Sequence, residues 1–441
     1  MTRYRGAEQD GVPVMWAVIG LSTLSLLTVG MVSPELLTLL KIHYINPGGH
    51  FFEKIHPATY LAIPAFMLLL LRGGDPIGQF DQVVFSAKLT LVYLFTCALL
   101  LFQCVALKRP ITGVIDTFLL PVLLCLIVWD MTPRQRMPMV IAIHVIIWAN
   151  ILLGFYEYFS KHRLVPITLG NQIVLGDWRA TALLGHPASA AAAIALYVMA
   201  LLLQPKERQM PLVSMPAMLI ATASLMVFGG RTALVAVGVV FAGVALWNCL
   251  RLMRGDRFGL VAVIVTILGL MLLGGAATMV LGSGLFDKMI FRFTHDSNSA
   301  QARIASLHLL SYFDWKELML GTQPVRSAAL QTMQGLAYGI EDFWVACIVQ
   351  YGIIQTVLIT IGLGCFFIEL LRRSSPGARV GVLFICVVAA SSVSFSSKNI
   401  ALTMDVAIIL LLLPRQRAER VAYVPETYRR GEFVYAPAPA R

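Results

Sequence analysis

Long apolar runs follow one another along most of the chain, separated by short polar breaks, and one extended polar stretch stands out against them. Crossing a bilayer core takes about 20 mostly apolar residues in a helix. Runs of that kind fall near residues 14–40, 52–71, 84–107, 111–130, 137–159, 186–204, 211–229, 231–250, 258–281, 340–371, 378–397 and 399–413. The pattern predicts an all-α fold, a polytopic transmembrane helical bundle of about 12 spans. The polar stretch is too hydrophilic to cross, yet it keeps helical apolar spacing at Ile304, Leu307 and Leu310 and then Leu318. It reads as one long, partly helical loop. The chain then divides into an N-terminal tail (1–13), a bundle of about nine spans (14–281), the loop (282–339), about three more spans (340–413) and a C-terminal tail (414–441).

Lysine and arginine in the short breaks set the orientation. With the N-terminus inside, the inner connections carry Arg72, Arg134 and Arg136, Lys206 and Arg208, Arg251 to Arg257, Arg372 to Arg379, and the tail from Arg415. Both termini are then cytoplasmic. The tail, with Pro425, Pro437, Pro439 and several arginines, predicts disorder and attraction to an anionic inner leaflet. Residues 41–57, 160–185 and the long loop are left outside, and seven of the eight histidines fall in or beside them.

Composition narrows the picture. Of 441 residues, 58% are hydrophobic and 13% charged, and the mean hydropathy is +0.78. Those values exclude an ordinary soluble globular protein. The net charge of +11 fits positive-inside loops and anionic lipid better than nucleic acid, so no nucleic-acid partner is expected. The seven cysteines lie in apolar stretches without CxxC or zinc spacing. No metal-ligand pattern, phosphate-cradling glycine loop or cofactor fingerprint occurs. The first apolar run lacks a cleavage site and is expected to remain as a span.

Four outer arginines lie where the positive-inside rule gives no reason for them: Arg179, Arg231, Arg292 and Arg303. A guanidinium presents five donors in a fixed fork and stays charged, which suits bidentate recognition of phosphate. Grouped at the membrane surface, they would hold a diphosphate whose lipid tail stays in the bilayer. Each could instead cap helix carbonyls or reach headgroups. Glu341 and Asp342 open the tenth span, either as acids favoured by a helix N-terminus or as a general base for an acceptor hydroxyl. His186, His295 and His308 compete for the base role. His186 precedes Pro187 at a span start, where a structural role is equally open, whereas His295 in FTHDSNS is more exposed. Lys88, Asp116 and Asp405 lie within or near span ends, and such groups either pair inside the bundle or mark a proton path. They leave a transporter reading open, although no repeat relates the two halves.

The order of these features resembles the superfamily of O-antigen polymerases and O-antigen ligases, bacterial integral membrane glycosyltransferases. The resemblance covers roughly residues 140–400. It rests on WRATALLGHPASAAAAIAL (Arg179, Gly185, His186, Pro187), FGGRTALVAVGVV (Arg231), QARIASLHLL (Arg303), LMLGTQP (Gly321) and EDFWVACIVQYGII (Glu341, Tyr351, Gly352). Gly230 stands where the family usually has serine, and His308 where tryptophan is common. Glu341 and Asp342 stand where ligases usually carry a His-Asn pair, which points to a polymerase.

The resemblance implies a GT-C-like bundle in the bacterial inner membrane, with the long loop and active site facing the periplasm. It implies metal-independent transfer, without a cofactor, from an undecaprenyl-diphosphate-linked oligosaccharide to a second lipid-linked repeat unit. The expected roles are catalytic for Glu341, His295 and Arg231. Diphosphate or glycan binding is expected of Arg179, Arg231, Arg292, Arg303, His186, His308 and Asp342. A chain-length regulator and a flippase are the expected partners. A ligase-type glycan transferase, or a transporter or flippase of lipid-linked sugars, is the alternative.

Overall fold

The computed structural model describes residues 3–45, 48–72, 74–166, 168–169, 172–173, 178–205, 211–255, 299–336, 339–391 and 398–415. The ninth predicted span, residues 258–281, lies outside them, as do residues 282–298 of the loop and the tail from 416. Among the described residues the fold is helical, apart from a two-residue antiparallel pairing of Thr168–Leu169 with Gln172–Ile173.

In chain order the helices are α1 (Arg3–Met31), α2 (Pro34–Leu39), α3 (Pro57–Leu71), α4 (Pro76–Phe85), α5 (Lys88–Ala106), α6 (Thr112–Asp130), α7 (Met137–Ser160), α8 (Pro187–Leu203), α9 (Pro211–Phe228) and α10 (Arg231–Met253). Three short helices follow in the polar stretch: α11 (Ser299–Leu309), α12 (Trp315–Leu320) and α13 (Pro324–Met333). The chain closes with α14 (Phe343–Tyr351), α15 (Ile353–Arg372), α16 (Ala378–Ser391) and α17 (Ala401–Leu412). Six of these contain stretches long and apolar enough to cross a membrane, and α3 with α4 forms a bent pair that passes the same test. Helices α8, α9, α16 and α17 are apolar but shorter. The protein is therefore a helical membrane protein.

Two predicted spans are broken, each for a local reason. The first run stops at Met31 because Ser33 and Pro34 restart the chain: the Ser33 hydroxyl accepts from the Leu36 N–H and Pro34 takes the first helical position. The tenth is split at Gly352, whose φ of +90° no ordinary residue adopts comfortably. Gly321, at φ +87°, lies directly against it. A Cβ at Gly352 would collide with the Gly321 N and the Met319 carbonyl, so two glycines let α12 close on the α14–α15 junction.

Two of the shorter apolar helices lie inside the bundle. Helix α8 is buried from Ala190 to Leu201, and α17 from Leu402 to Leu412. The alanine run of α8 lets neighbouring backbones approach closely, as in membrane bundles generally. It packs on α9, α10, α16 and α17.

Helix directions define two ends. At one, Arg72 pairs with Asp130 at 3.3 Å, Arg373 donates to the Ser86 carbonyl at 2.7 Å, and the Ser375 N–H donates to the Leu413 carbonyl at 2.7 Å. The connections that carry Arg72, residues 131–137 and residues 372–379 meet here. The opposite end collects the starts of α3, α6, α8, α10, α15 and α17, with the short helices of the polar stretch.

Candidate functional site

Three polar clusters occupy that second end, and they differ in how completely their groups are satisfied. The first surrounds Asp116, at the N-terminal end of α6. Its carboxylate accepts from Thr59 Oγ1 at 2.7 Å, Tyr44 OH at 3.0 Å and the His56 N–H at 3.1 Å, and faces Lys398 Nζ at 3.7 Å. Lys398 in turn donates to the Tyr44 carbonyl at 3.2 Å and to the Lys54 carbonyl, with its ammonium 3.7 Å from the centre of the Tyr44 ring. Burial pushes the Lys398 ammonium down to about 8, against the pull of Asp116. Thr117 and Asn399 exchange two further hydrogen bonds. The knot ties the chain between α2 and α3 to the starts of α6 and α17.

The second cluster positions the segment that enters α8. Glu157, buried near the end of α7, accepts from the backbone N–H groups of Leu164 (2.8 Å), Thr181 (2.7 Å) and Ala182 (3.0 Å). Asn150 accepts from the Leu183 and Leu184 N–H groups, both at 3.0 Å, and donates to the Gly30 carbonyl. Seven residues apart on one helix face, these two side chains serve the amides of a segment that has no helix or sheet of its own. They hold Arg179 beside His186, whose imidazole is pushed down to about 4 by burial and then by the Arg179 charge. His186 Nδ1 accepts from the Ala188 N–H at 3.3 Å, so the ring serves as a neutral N-cap. Arg231 begins α10 at the same level: a Cβ on the preceding Gly230 would strike Ala191 in the first turns of α8. Packing of α10 on α8 puts the start of α10 beside the first turns of α8, which follow the segment that carries Arg179 and His186.

The third cluster lies in the polar stretch. Arg303 Nε on α11 faces Glu341 Oε2 at 3.8 Å, and its Nη2 reaches the Ser391 carbonyl at the end of α16 at 3.4 Å. The side chains remain 48% and 26% exposed. At 3.8 Å the ion pair has charge proximity without hydrogen-bond geometry. Asp342 caps α14, accepting from the Val345 N–H at 2.9 Å, which fits the helix-start reading of this acid. His308 stands apart, its ring edge-on to Tyr312 at 5.2 Å. Arg292 and His295 lie outside the described residues.

Beneath this cluster, Arg109 fastens the polar stretch to the bundle. Its guanidinium donates to the carbonyls of Leu320 (2.9 Å), Gln350 (2.8 Å) and Gly321 (2.7 Å), at the C-terminal ends of α12 and α14. Cations are favoured at such ends. Gln103 adds bonds to the Leu320 and Tyr351 carbonyls, both at 2.9 Å.

The sequence marks Asp116 but not its partners Tyr44, His56, Thr59 and Lys398, nor Glu157, Asn150 and Arg109. A signal existed for some of them: Glu157 and Asn150 are polar residues within an apolar run, and Lys398 precedes the last span. The arrangement offers cations and a carboxylate at one end of an apolar bundle, suited to an anionic group attached to a membrane-embedded chain. No protein-family model matches the chain, and no curated protein matches it.

Proposed function

We propose that the protein is a polysaccharide polymerase, joining undecaprenyl-diphosphate-linked oligosaccharide repeat units at the periplasmic face of the bacterial inner membrane. The observation that carries the reading is the placement of Arg179, Arg231 and the Arg303–Glu341 pair at one end of the bundle, opposite the end with the basic connections. By the positive-inside rule the basic end is cytoplasmic, so the second end faces outward. The resemblance to O-antigen polymerases supplies the chemistry, and the finer expectations of about twelve spans and a GT-C-like arrangement go with it.

In this reading the oxygen of an acceptor sugar attacks C1 of the donor glycan. The C1–O bond to the diphosphate breaks, and the electron pair leaves with the lipid diphosphate. Arg179, Arg231 and Arg303 stabilise the charge that develops on that leaving group. Glu341 takes the proton of the acceptor hydroxyl, and C1 inverts. Helices α11 to α13 cover the site and limit hydrolysis, which would end the chain. A flippase supplies the substrate from inside, and a chain-length regulator is an expected partner.

A ligase-type transferase would use the same donor and differ only in the acceptor. The buried Asp116–Lys398 pair is the observation that favours a transporter of lipid-linked sugars. The Asp116 carboxylate, however, is already engaged by four groups, which suits a structural joint better than a moving charge.

The test is the glycan profile of a deletion strain complemented with wild type or Arg231→Ala. Normal protein with exported single repeats and no polymer is the expected result. Full-length polymer from Arg231→Ala would overturn the reading, and repeats trapped inside would favour the transporter.

A further inference from the structure

An apolar cavity of about 160 Å³ lies between α6, α14, α15, α16 and α17, walled by residues that include Thr117, Phe343, Trp344, Gly364, Cys386 and Ala389. It is not closed on all sides. Gly364 on α15 is exposed, and Cys386 and Ala389 on α16 are half-buried, so the mouth lies between these two helices. Around it stand Ile361 and Ile368 on α15 and Leu383 and Val387 on α16, all exposed. In a bilayer such an apolar surface faces hydrocarbon, so the cavity opens sideways into the acyl region rather than into water.

The upper end of the cavity meets the third polar cluster. Trp344 and Phe343 follow Glu341 by two or three residues, and Ala389 comes two residues before Ser391, whose carbonyl binds Arg303. Along α15 the lining runs from Thr360 to Phe367, a depth of roughly 10 Å at 1.5 Å per residue. A narrow apolar slot with a cation at its outer end complements a lipid with one inserted hydrocarbon chain and a phosphate head.

We infer that this cavity takes the first segment of the isoprenoid chain of a polyprenyl phosphate or diphosphate, with the head at Arg303. The inference rests on the proposed function for the identity of the chain, and it adds the place where that chain enters. The volume suits a segment of a single chain, which separates it from general solvation of the bundle by two-chain lipids. It also gives Trp344 and Gly364 a role: one lines the slot near the head, and the other keeps its mouth open.

The geometry supplies both a reporter and a plug. A Cβ at Gly364 meets nothing within 4 Å, so a larger side chain there extends into the mouth without displacing the backbone. Gly243 on α10 is equally open and lies on a different helix, which makes it the control for added bulk. The experiment uses the full-length protein in phosphatidylethanolamine vesicles containing a small fraction of nitroxide-labelled polyprenyl phosphate. The reading is the difference in tryptophan quenching between wild type and Trp344→Phe.

Trp344-dependent quenching by the labelled polyprenyl phosphate is expected, with little from phosphatidylglycerol carrying the same nitroxide at the same mole fraction. Gly364→Phe, and Ala389→Phe from the opposite wall, should reduce the Trp344-dependent part at least fivefold, whereas Gly243→Phe should leave it intact. Equal Trp344-dependent quenching by both lipids, none by either, or persistence in both plugged variants would overturn the assignment. The assay needs no turnover, so the two conclusions fail separately. Normal polymer in Arg231→Ala with quenching intact would sink the polymerase reading and spare the cavity. Lost polymer in Arg231→Ala without Trp344-dependent quenching would sink the cavity assignment alone.

Discussion

The Asp116 knot and the Arg303–Glu341 pair lie at the same end of the bundle and use the same kinds of groups, yet they are built differently. Asp116 is fully buried, accepts three hydrogen bonds and faces a lysine that is itself held by two carbonyls. Arg303 is half exposed and Glu341 a quarter exposed, and they stand 3.8 Å apart at the two ends of the polar stretch. A charge with every bonding position filled has nothing left for a ligand, and the cost of burying it is recovered only while its partners stay. A loose, exposed pair contributes little to stability and can exchange partners. The first is built as a joint, and the second keeps its charges accessible, as the proposed site requires.

The largest expected effect follows from breaking the joint. Asp116→Ala leaves the Lys398 ammonium buried without its counter-charge and should cost about 3–5 kcal/mol, read as a fall in Tm of the detergent-solubilised protein. Removing the lysine as well, in Asp116→Ala/Lys398→Met, should restore much of that loss. An Asp116→Ala protein with wild-type Tm and no polymer would place Asp116 in the site and erase the contrast.

Next in size is the complementary change. Arg303→Ala should lower polymer yield on the order of 100-fold, the scale of losing one preorganised charge at a developing anion, while Tm hardly moves. Glu341→Gln should behave likewise if it carries the proton. A Tm loss in Arg303→Ala as large as that of the Asp116 variant would show the pair to be structural instead.

How much of this was legible in the sequence depends on the range of the forces involved. Apolar run length gave the helical membrane fold and most helix bounds, because burying backbone in lipid constrains every residue of a span. The break at Gly352 was hidden inside a continuous apolar run: the positive φ arises from contact with Gly321, thirty-one positions earlier, and hydropathy carries no trace of it. Likewise the arginines expected outside stood out against the charge rule, but their neighbours could not. Glu157 serves amides of residues 164–182 and Lys398 serves carbonyls of residues 44 and 54. Such side-chain-to-backbone contacts leave no spacing pattern, since any residue offers the backbone half. His186 illustrates a different case: the proline after it left a structural role open, and in the fold its ring accepts from the Ala188 N–H.

A smaller effect tests how the site is attached. Arg109→Ala removes three charge-assisted bonds to the carbonyls that end α12 and α14, a local loss of about 2 kcal/mol. Hydrogen exchange should quicken over residues 315–351 by roughly thirtyfold and stay slow in α8 and α17. Uniform quickening throughout would mean that Arg109 supports the bundle itself rather than the attachment of the polar stretch.

The smallest expected effect is a pH dependence confined to the joint. Lys398 is pushed from an ordinary 10.5 down to about 8 by burial, a shift opposed mainly by Asp116 and helped by Lys54. Between those two values the unfolded chain holds a proton that the folded protein has released, so folding becomes more favourable as pH rises through that window. The gain should be on the order of 1 kcal/mol between pH 8 and 10, seen as a rise in Tm relative to Lys398→Met, which should lack it. Loss of the Asp116 attraction works in the same window but is already contained in the lowered value, because that attraction raises it. A wild-type profile parallel to that of Lys398→Met would place the titrating group elsewhere. The same scan on Arg303→Ala should retain the rise, since the groups that hold Lys398 are Asp116 and the carbonyls of Tyr44 and Lys54.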